Sequence, residues 1–103
     1  MPGFFSNQKH TAVNPKTVWL TGASSGIGEA LAYALSACGY RLILSARRQQ
    51  ELERVKQNCL AHAQQHIHIL PFDLLATDKL KQAVDEAIQV FNGIDILINN
   101  AGI

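Results

Sequence analysis

The run Thr21-Gly22-Ala23-Ser24-Ser25-Gly26-Ile27-Gly28 has the residue types and spacing to hold a pyrophosphate. Gly22 permits a sharp turn off a strand. Gly26 removes a side chain where a phosphate must approach the backbone. Gly28 lets the following helix pack close to a sheet. That helix then directs its free N–H groups and the positive end of its dipole at the anion. Ser24 and Ser25 add hydroxyl donors. The rival phosphate loop needs Gly-Lys followed by Ser or Thr, whereas this turn ends Gly28-Glu29. Three glycines alone are a weak signal, and a merely glycine-rich turn is the plain alternative. The context decides, because the run lies between an expected strand and an expected helix.

The elements that must position this turn follow from hydrophobic periodicity. Residues 17–21 form a short apolar run ending at glycine and read as a buried strand. Ile27, Ala30, Leu31, Ala34, Leu35 and Cys38 recur at spacings of three and four, one face of a helix that Gly39 closes. Residues 41–45 are a second strand. A second helix buries Leu52, Val55, Cys59 and Leu60 and turns Glu51, Glu53, Arg54 and Lys56 outward. Residues 66–70 are a third strand, stopped by Pro71. Thr77 is expected to cap a third helix, with Asp78 favourable in its first turn. That helix presents Leu80, Ala83, Val84, Ala87, Ile88 and Phe91 on one face and ends at Gly93. Residues 94–98 are a fourth strand. The order β-α-β-α-β-α-β implies an α/β fold, a partial Rossmann fold whose parallel sheet has helices on both faces.

Composition narrows the function classes. A net charge of +1 with 17% charged residues leaves no electrostatic footprint for nucleic acid. No apolar run approaches the roughly 20 residues that span a bilayer, so no membrane segment is expected. Residues 1–16 are polar, lack the apolar core of a secretory signal, and read as a flexible tail ahead of the domain at 17–103. Cys38 and Cys59 have no metal-type spacing and read as reduced thiols. His66 and His68 alternate along the third strand and face one side. With no third ligand near them in sequence, they read as a sheet-edge feature, and no metal site is expected. Tyr33 and Tyr40 read as structural.

The glycine spacing G-x-x-x-G-x-G of TGASSGIG resembles the cofactor motif of the short-chain dehydrogenase/reductase family. Three further segments resemble that family in the expected order. Asp73-Leu74 is similar to the pair that borders the adenine ring. Asn99-Asn100-Ala101-Gly102 is similar to the motif that braces the sheet and lines the ribose after strand four. Leu44-Ser45-Ala46-Arg47-Arg48 is similar to the second-strand end of NADP-preferring members. Within the family, residues 19–60 most resemble the dehydrogenase/reductase member 7 branch, a group linked to steroid and retinoid carbonyls. The resemblance implies hydride transfer between nicotinamide and an alcohol or carbonyl carbon. It also implies cofactor contacts from Thr21, Gly22, Ser24, Ser25, Gly26, Ile27 and Gly28, and from Asp73, Leu74, Asn99, Ala101 and Gly102.

Cofactor choice has its own physical argument. NAD enzymes place a carboxylate at the end of strand two to accept from the ribose 2′-hydroxyl. Here that position is Ala46, followed by Arg47 and Arg48, whose guanidinium forks match a 2′-phosphate in charge and geometry. NADP(H) is therefore expected, with Arg47 as the main contact. The alternative is that both arginines simply begin a solvated helix face.

The family's catalytic serine and its Tyr-x-x-x-Lys helix have no counterpart here. Tyr33 is followed four places on by Ala37, and Tyr40 by Leu44. The reading is therefore the cofactor-binding N-terminal portion of a reductase, truncated and expected to be inactive alone, with an unpaired edge at strand four. A non-catalytic nucleotide-binding or interaction module from a truncated product is the competing reading. The full-length form would take a small-molecule carbonyl or alcohol substrate and is compatible with a homo-oligomer. A cytoplasmic location is the default expectation, or the endoplasmic reticulum membrane if an anchor precedes the chain.

Overall fold

A computed structural model describes residues 15–73 and 75–100. The expectations for residues 1–14, for Leu74 and for residues 101–103 lie outside the described residues. Four strands form one parallel sheet: β1 (Thr17–Thr21), β2 (Arg41–Ser45), β3 (Ile67–Ile69) and β4 (Ile96–Asn99). They lie in the order β3-β2-β1-β4. Three helices connect them: α1 (Gly26–Ala37), α2 (Gln49–Asn58) and α3 (Leu80–Val90). The architecture is the partial Rossmann α/β fold expected from the sequence.

β1 is buried at all five positions because it has a neighbour on each side and helices on both faces. Its alternating side chains divide the core. Val18 and Leu20 join Leu42, Leu44, Leu52 and Val55 under α1 and α2. Trp19 joins Ile43, Leu70, Ala83 and Ala87 under α3 on the opposite face. Trp19 carries a polar atom into that layer and satisfies it there. Its Nε1–H donates to Ser45 Oγ at 2.9 Å, and Ser45 Oγ donates to the Leu70 carbonyl at 2.7 Å. This relay ties β1 to β2 and to the end of β3. At the other end of the sheet, the Thr17 N–H donates to Asp95 Oδ2 at 2.8 Å and the Asp95 N–H donates back to the Thr17 carbonyl at 2.9 Å. That exchange aligns β4 beside β1.

Several local expectations are corrected. On α1 the sheet-facing residues are Gly28, Ala32 and Ser36, with Leu31 and Leu35 flanking them. Ile27, Ala30, Ala34 and Cys38 are exposed. The helix lies so close to the sheet that small side chains take the inner positions. Leu60 is also exposed, because α2 stops at Asn58 and the chain turns into a 3-10 segment, Ala61–His66. His66 therefore belongs to that segment and does not share a strand face with His68. His68 lies on β3 and pairs with Glu86 of α3 at 2.7 Å. Thr77 does not cap α3. It opens a 3-10 turn, Thr77–Lys79, and no side chain caps either element. On α3, Leu80 and Ile88 are exposed, while Ala83 and Ala87 are buried. The fourth strand is Ile96–Asn99, shifted from the expected 94–98 because Ile94 packs in the α3 layer and Asp95 is used in pinning Thr17. β4 is an edge of this sheet, with Leu97 exposed. Among the described residues, no helix is long and apolar enough to cross a membrane.

Leu44 is fully buried between β1, α1 and α2. Leu44→Ala is expected to cost about 2–5 kcal/mol through lost burial and the cavity left behind. Denaturant unfolding followed by the fluorescence of Trp19, the sole tryptophan, measures this. A loss below about 1 kcal/mol would contradict the core assignment.

Candidate functional site

The sheet order places β1 between β2 and β4, so the chain leaves β1 toward one side for β2 and β3 and returns on the other for β4. Such a reversal opens a crevice at the carboxyl ends of the strands. The glycine turn sits at that point. Gly22 has φ +63° and Gly26 φ +56°, both in the left-handed region that glycine adopts without strain. The Ala23 N–H donates to the Ser45 carbonyl at 3.1 Å, which continues the β1–β2 pairing into the turn.

Gly28 shows how tightly α1 is seated. A Cβ there would lie 1.9 Å from the Gly22 carbonyl oxygen and 2.8 Å from Asn100 Nδ2. No rotation of a neighbouring side chain relieves a clash with backbone, so position 28 admits only glycine. At Gly26 the opposite holds: a Cβ would meet nothing within 4 Å. The space over the start of α1 is open, and the Ser25 hydroxyl makes no capping bond to the helix. The helix end is therefore not consumed by its own side chains.

Thr21 and the two asparagines close β4 onto the turn. Thr21 Oγ1 donates to Asn99 Oδ1 at 2.8 Å and accepts from the Asn100 N–H at 3.0 Å. Asn100 Nδ2 donates to the Gly22 carbonyl at 3.2 Å. The Gly22 carbonyl is thus engaged by Asn100 and turned toward the packed side of the turn, next to Gly28.

The cleft in front of the turn has a volume of about 1000 Å³. Of the residues singled out from the sequence, it brings together Thr21, Gly22, Ser24, Ser25, Gly26, Ile27, Arg47, Arg48 and Asp73. Gly28 lies behind it as packing, and Asn99 points to Thr21 rather than lining it. Leu74, Ala101 and Gly102 lie outside the described residues. Asp73 is also a turn residue: its Oδ1 accepts from the Leu75 N–H at 2.9 Å. Arg47 and Arg48 are exposed at the end of β2, and neither guanidinium has a partner among the described residues.

Ser45, Ala46 and Asn100, which belong to the motifs read from the sequence without being assigned a cofactor contact, also line the cleft, as do Glu51, Phe72 and Leu75, which sequence reasoning did not name as site residues. Phe72 could have been found from its place directly after Pro71, which stops β3. The Phe72 N–H donates to the Ala46 carbonyl at 3.0 Å, and its ring lies 6.1 Å from that of Trp19.

An ion-pair network stands beside the turn. The Arg54 guanidinium grips Glu29 with two bonds, at 2.9 Å and 3.1 Å, and Tyr33 donates its hydroxyl to Glu29 at 2.6 Å. Hydrogen bonding from Arg54, then from Tyr33, lowers the Glu29 pKa from 4.5 to about 2. The hydrogen bond that Tyr33 gives Glu29, and then burial, raise the Tyr33 pKa above its ordinary value. Tyr33 is thereby a poorer proton donor than a free tyrosine.

A parallel sheet with a glycine turn and an open cleft at its reversal point defines a Rossmann-type α/β unit. The short chain dehydrogenase family model matches residues 16–103, and the chain belongs to that family. Dehydrogenase/reductase SDR family member 7 of Mus musculus is 53% identical over 88 residues, which cover 82% of this chain and 26% of that protein. The chain thus spans about a quarter of the length of this curated relative. Among solved structures, the C-domain of a bacterial malonyl-CoA reductase with NADP is 33% identical with a TM-score of 0.76, covering 85% of this chain and 15% of that one. A 3-ketoacyl-(acyl-carrier-protein) reductase from Brucella melitensis complexed with NADH is 27% identical with a TM-score of 0.70, covering 80% of this chain and 32% of that one.

Gly28→Ala is expected to destabilise the fold by about 3 kcal/mol or more, since α1 must lift off the turn. A thermal midpoint within 2–3 °C of the unaltered chain, roughly what less than 1 kcal/mol would give, would contradict the close approach. The Glu29 pairing stabilises the folded state above pH 4.5, and that contribution fades as pH falls from 4.5 toward about 2. A carboxyl-carbon NMR titration should show Glu29 ionised down to about pH 2, and Arg54→Met should return its midpoint toward 4.5. An unchanged midpoint in the variant would refute the assigned cause.

Proposed function

We propose that this chain is the NADP(H)-binding half of a short-chain oxidoreductase that moves hydride between nicotinamide and an alcohol or carbonyl carbon. The observation that carries the reading is the pair of unpartnered guanidiniums, Arg47 and Arg48, on the cleft at the end of β2. Neither guanidinium makes a hydrogen bond or ion pair among the described residues, so the donor forks of both remain available to a ligand. Arg47 would hold the ribose 2′-phosphate. Ser24, Ser25 and the start of α1 would take the pyrophosphate, in the space that Gly26 leaves open. Phe72 and Asp73 would border the adenine. The bound cofactor supplies or accepts the hydride, and this chain's residues orient it. Solved structures with NADP and with NADH share the fold, so the preference for NADP(H) rests on Arg47 and Arg48.

By similarity to the member 7 branch, the proposed substrate class of the whole enzyme is a steroid- or retinoid-like alcohol or carbonyl. These 103 residues contain no Tyr-x-x-x-Lys. The chain alone is therefore expected to bind cofactor without turning over a carbonyl.

Calorimetric titration tests the reading. NADPH should bind at least about tenfold more tightly than NADH, the scale of one charge-assisted hydrogen bond, and Arg47→Ala should remove most of that preference. Equal affinities, or a preference untouched by Arg47→Ala, would overturn the 2′-phosphate role.

A further inference from the structure

Arg54 belongs to α2, yet its fork reaches across to the glycine turn. Besides the two bonds to Glu29, Nη2 donates to the Ser24 carbonyl at 3.1 Å and Nε donates to Glu51 at 3.1 Å. One side chain therefore binds the first turn of α1, the first turn of α2 and the backbone of the loop between β1 and α1. Its side chain is 42% exposed, and exposed ion pairs contribute little to stability in themselves. What the fork does provide is geometry. A peptide unit is planar and trans, so turning the Ser24 carbonyl toward Arg54 turns the Ser25 N–H the opposite way. Ser24, Ser25 and Glu51 all line the cleft. Without Arg54, a carbonyl dipole and two carboxylates near the cleft would be free to oppose an anion.

We propose that Arg54 is a positioning residue for the dinucleotide pyrophosphate: it holds the Ser24 carbonyl away from the anion, presents the Ser25 N–H, and neutralises Glu29 and Glu51 beside the cleft. The proposal rests on the dinucleotide reading above. It separates Arg54 from Arg47, because Arg54 would act on NADPH and NADH alike. The pyrophosphate is common to both, whereas the 2′-phosphate belongs to one.

The test uses the whole chain with NADPH and NADH as probes, titrated by fluorescence. Arg54→Met should weaken both dinucleotides by about tenfold and leave their ratio unchanged, the loss expected of a charged hydrogen bond. Before ligand is added, the same variant should shift the Ser25 and Gly26 amide resonances. Glu29→Gln breaks the ion pair between helices but leaves the Ser24 and Glu51 contacts, so its affinity should stay within about threefold. If Arg54→Met fails to fold, Arg54→Lys, which keeps the charge without the fork, carries the comparison. Equal loss in Glu29→Gln and Arg54→Met would overturn the proposal in favour of a purely interhelical role. Unaltered affinity in a folded Arg54→Met would overturn it while leaving the dinucleotide reading intact. Absence of binding of either dinucleotide by the unaltered chain would overturn both.

Discussion

The contact between position 28 and the Gly22 carbonyl sets the geometry of this molecule. α1 can descend onto the turn only because Gly28 has no side chain, since a Cβ there would lie 1.9 Å from the Gly22 carbonyl oxygen, far inside van der Waals contact. Three consequences follow. The inner face of α1 must be built of small residues, which explains Ala32 and Ser36. The Gly22 carbonyl is directed to the packed side, where Asn100 from the end of β4 donates to it. The start of α1 is left facing the cleft with no side-chain cap, so the turn remains open to an anion. Packing and binding geometry are here one arrangement, because the residues that seat the helix also clear the space in front of it.

The sheet supports that turn from below through polar pairs placed at strand ends. Trp19, Ser45 and the Leu70 carbonyl form a buried relay from β1 through β2 to the residue that follows β3, at the cleft end. Asp95 and Thr17 exchange two bonds at the opposite end of β1. A buried polar group left unpaired costs roughly 1–3 kcal/mol, so such pairs select a register as well as satisfying it. The β1–β4 register in which Thr21 lies beside Asn99 is the one that brings Asn100 under the turn.

Strand identities, helix order and the glycine turn were legible in the sequence because each has a local cause. Continuous apolar runs mark buried parallel strands, and the glycine spacing marks the turn. What was not legible depended on distance between elements. The stripe expected on α1, through Ile27 and Ala34, and the one observed, through Gly28 and Ala32, have similar periodicity, and only the depth of helix seating decides between them. Leu60 is apolar and in phase with α2, yet the helix ends before it. Arg54 read as one more charge on a solvated face, since nothing local shows that Glu29 and the Ser24 carbonyl stand opposite it. The bond from Thr21 to Asn99 likewise joins residues that no local pattern places together.

The cleft in front of residues 21–28 is the proposed seat of a dinucleotide. Amide NMR spectra of the whole chain with increasing NADPH test it most directly. Progressive, saturable shifts are expected at Ser24, Ser25, Gly26 and Arg47, with little change at His68 and Glu86 on the far side of the sheet. Saturating NADPH that leaves the resonances of the turn unmoved would contradict it.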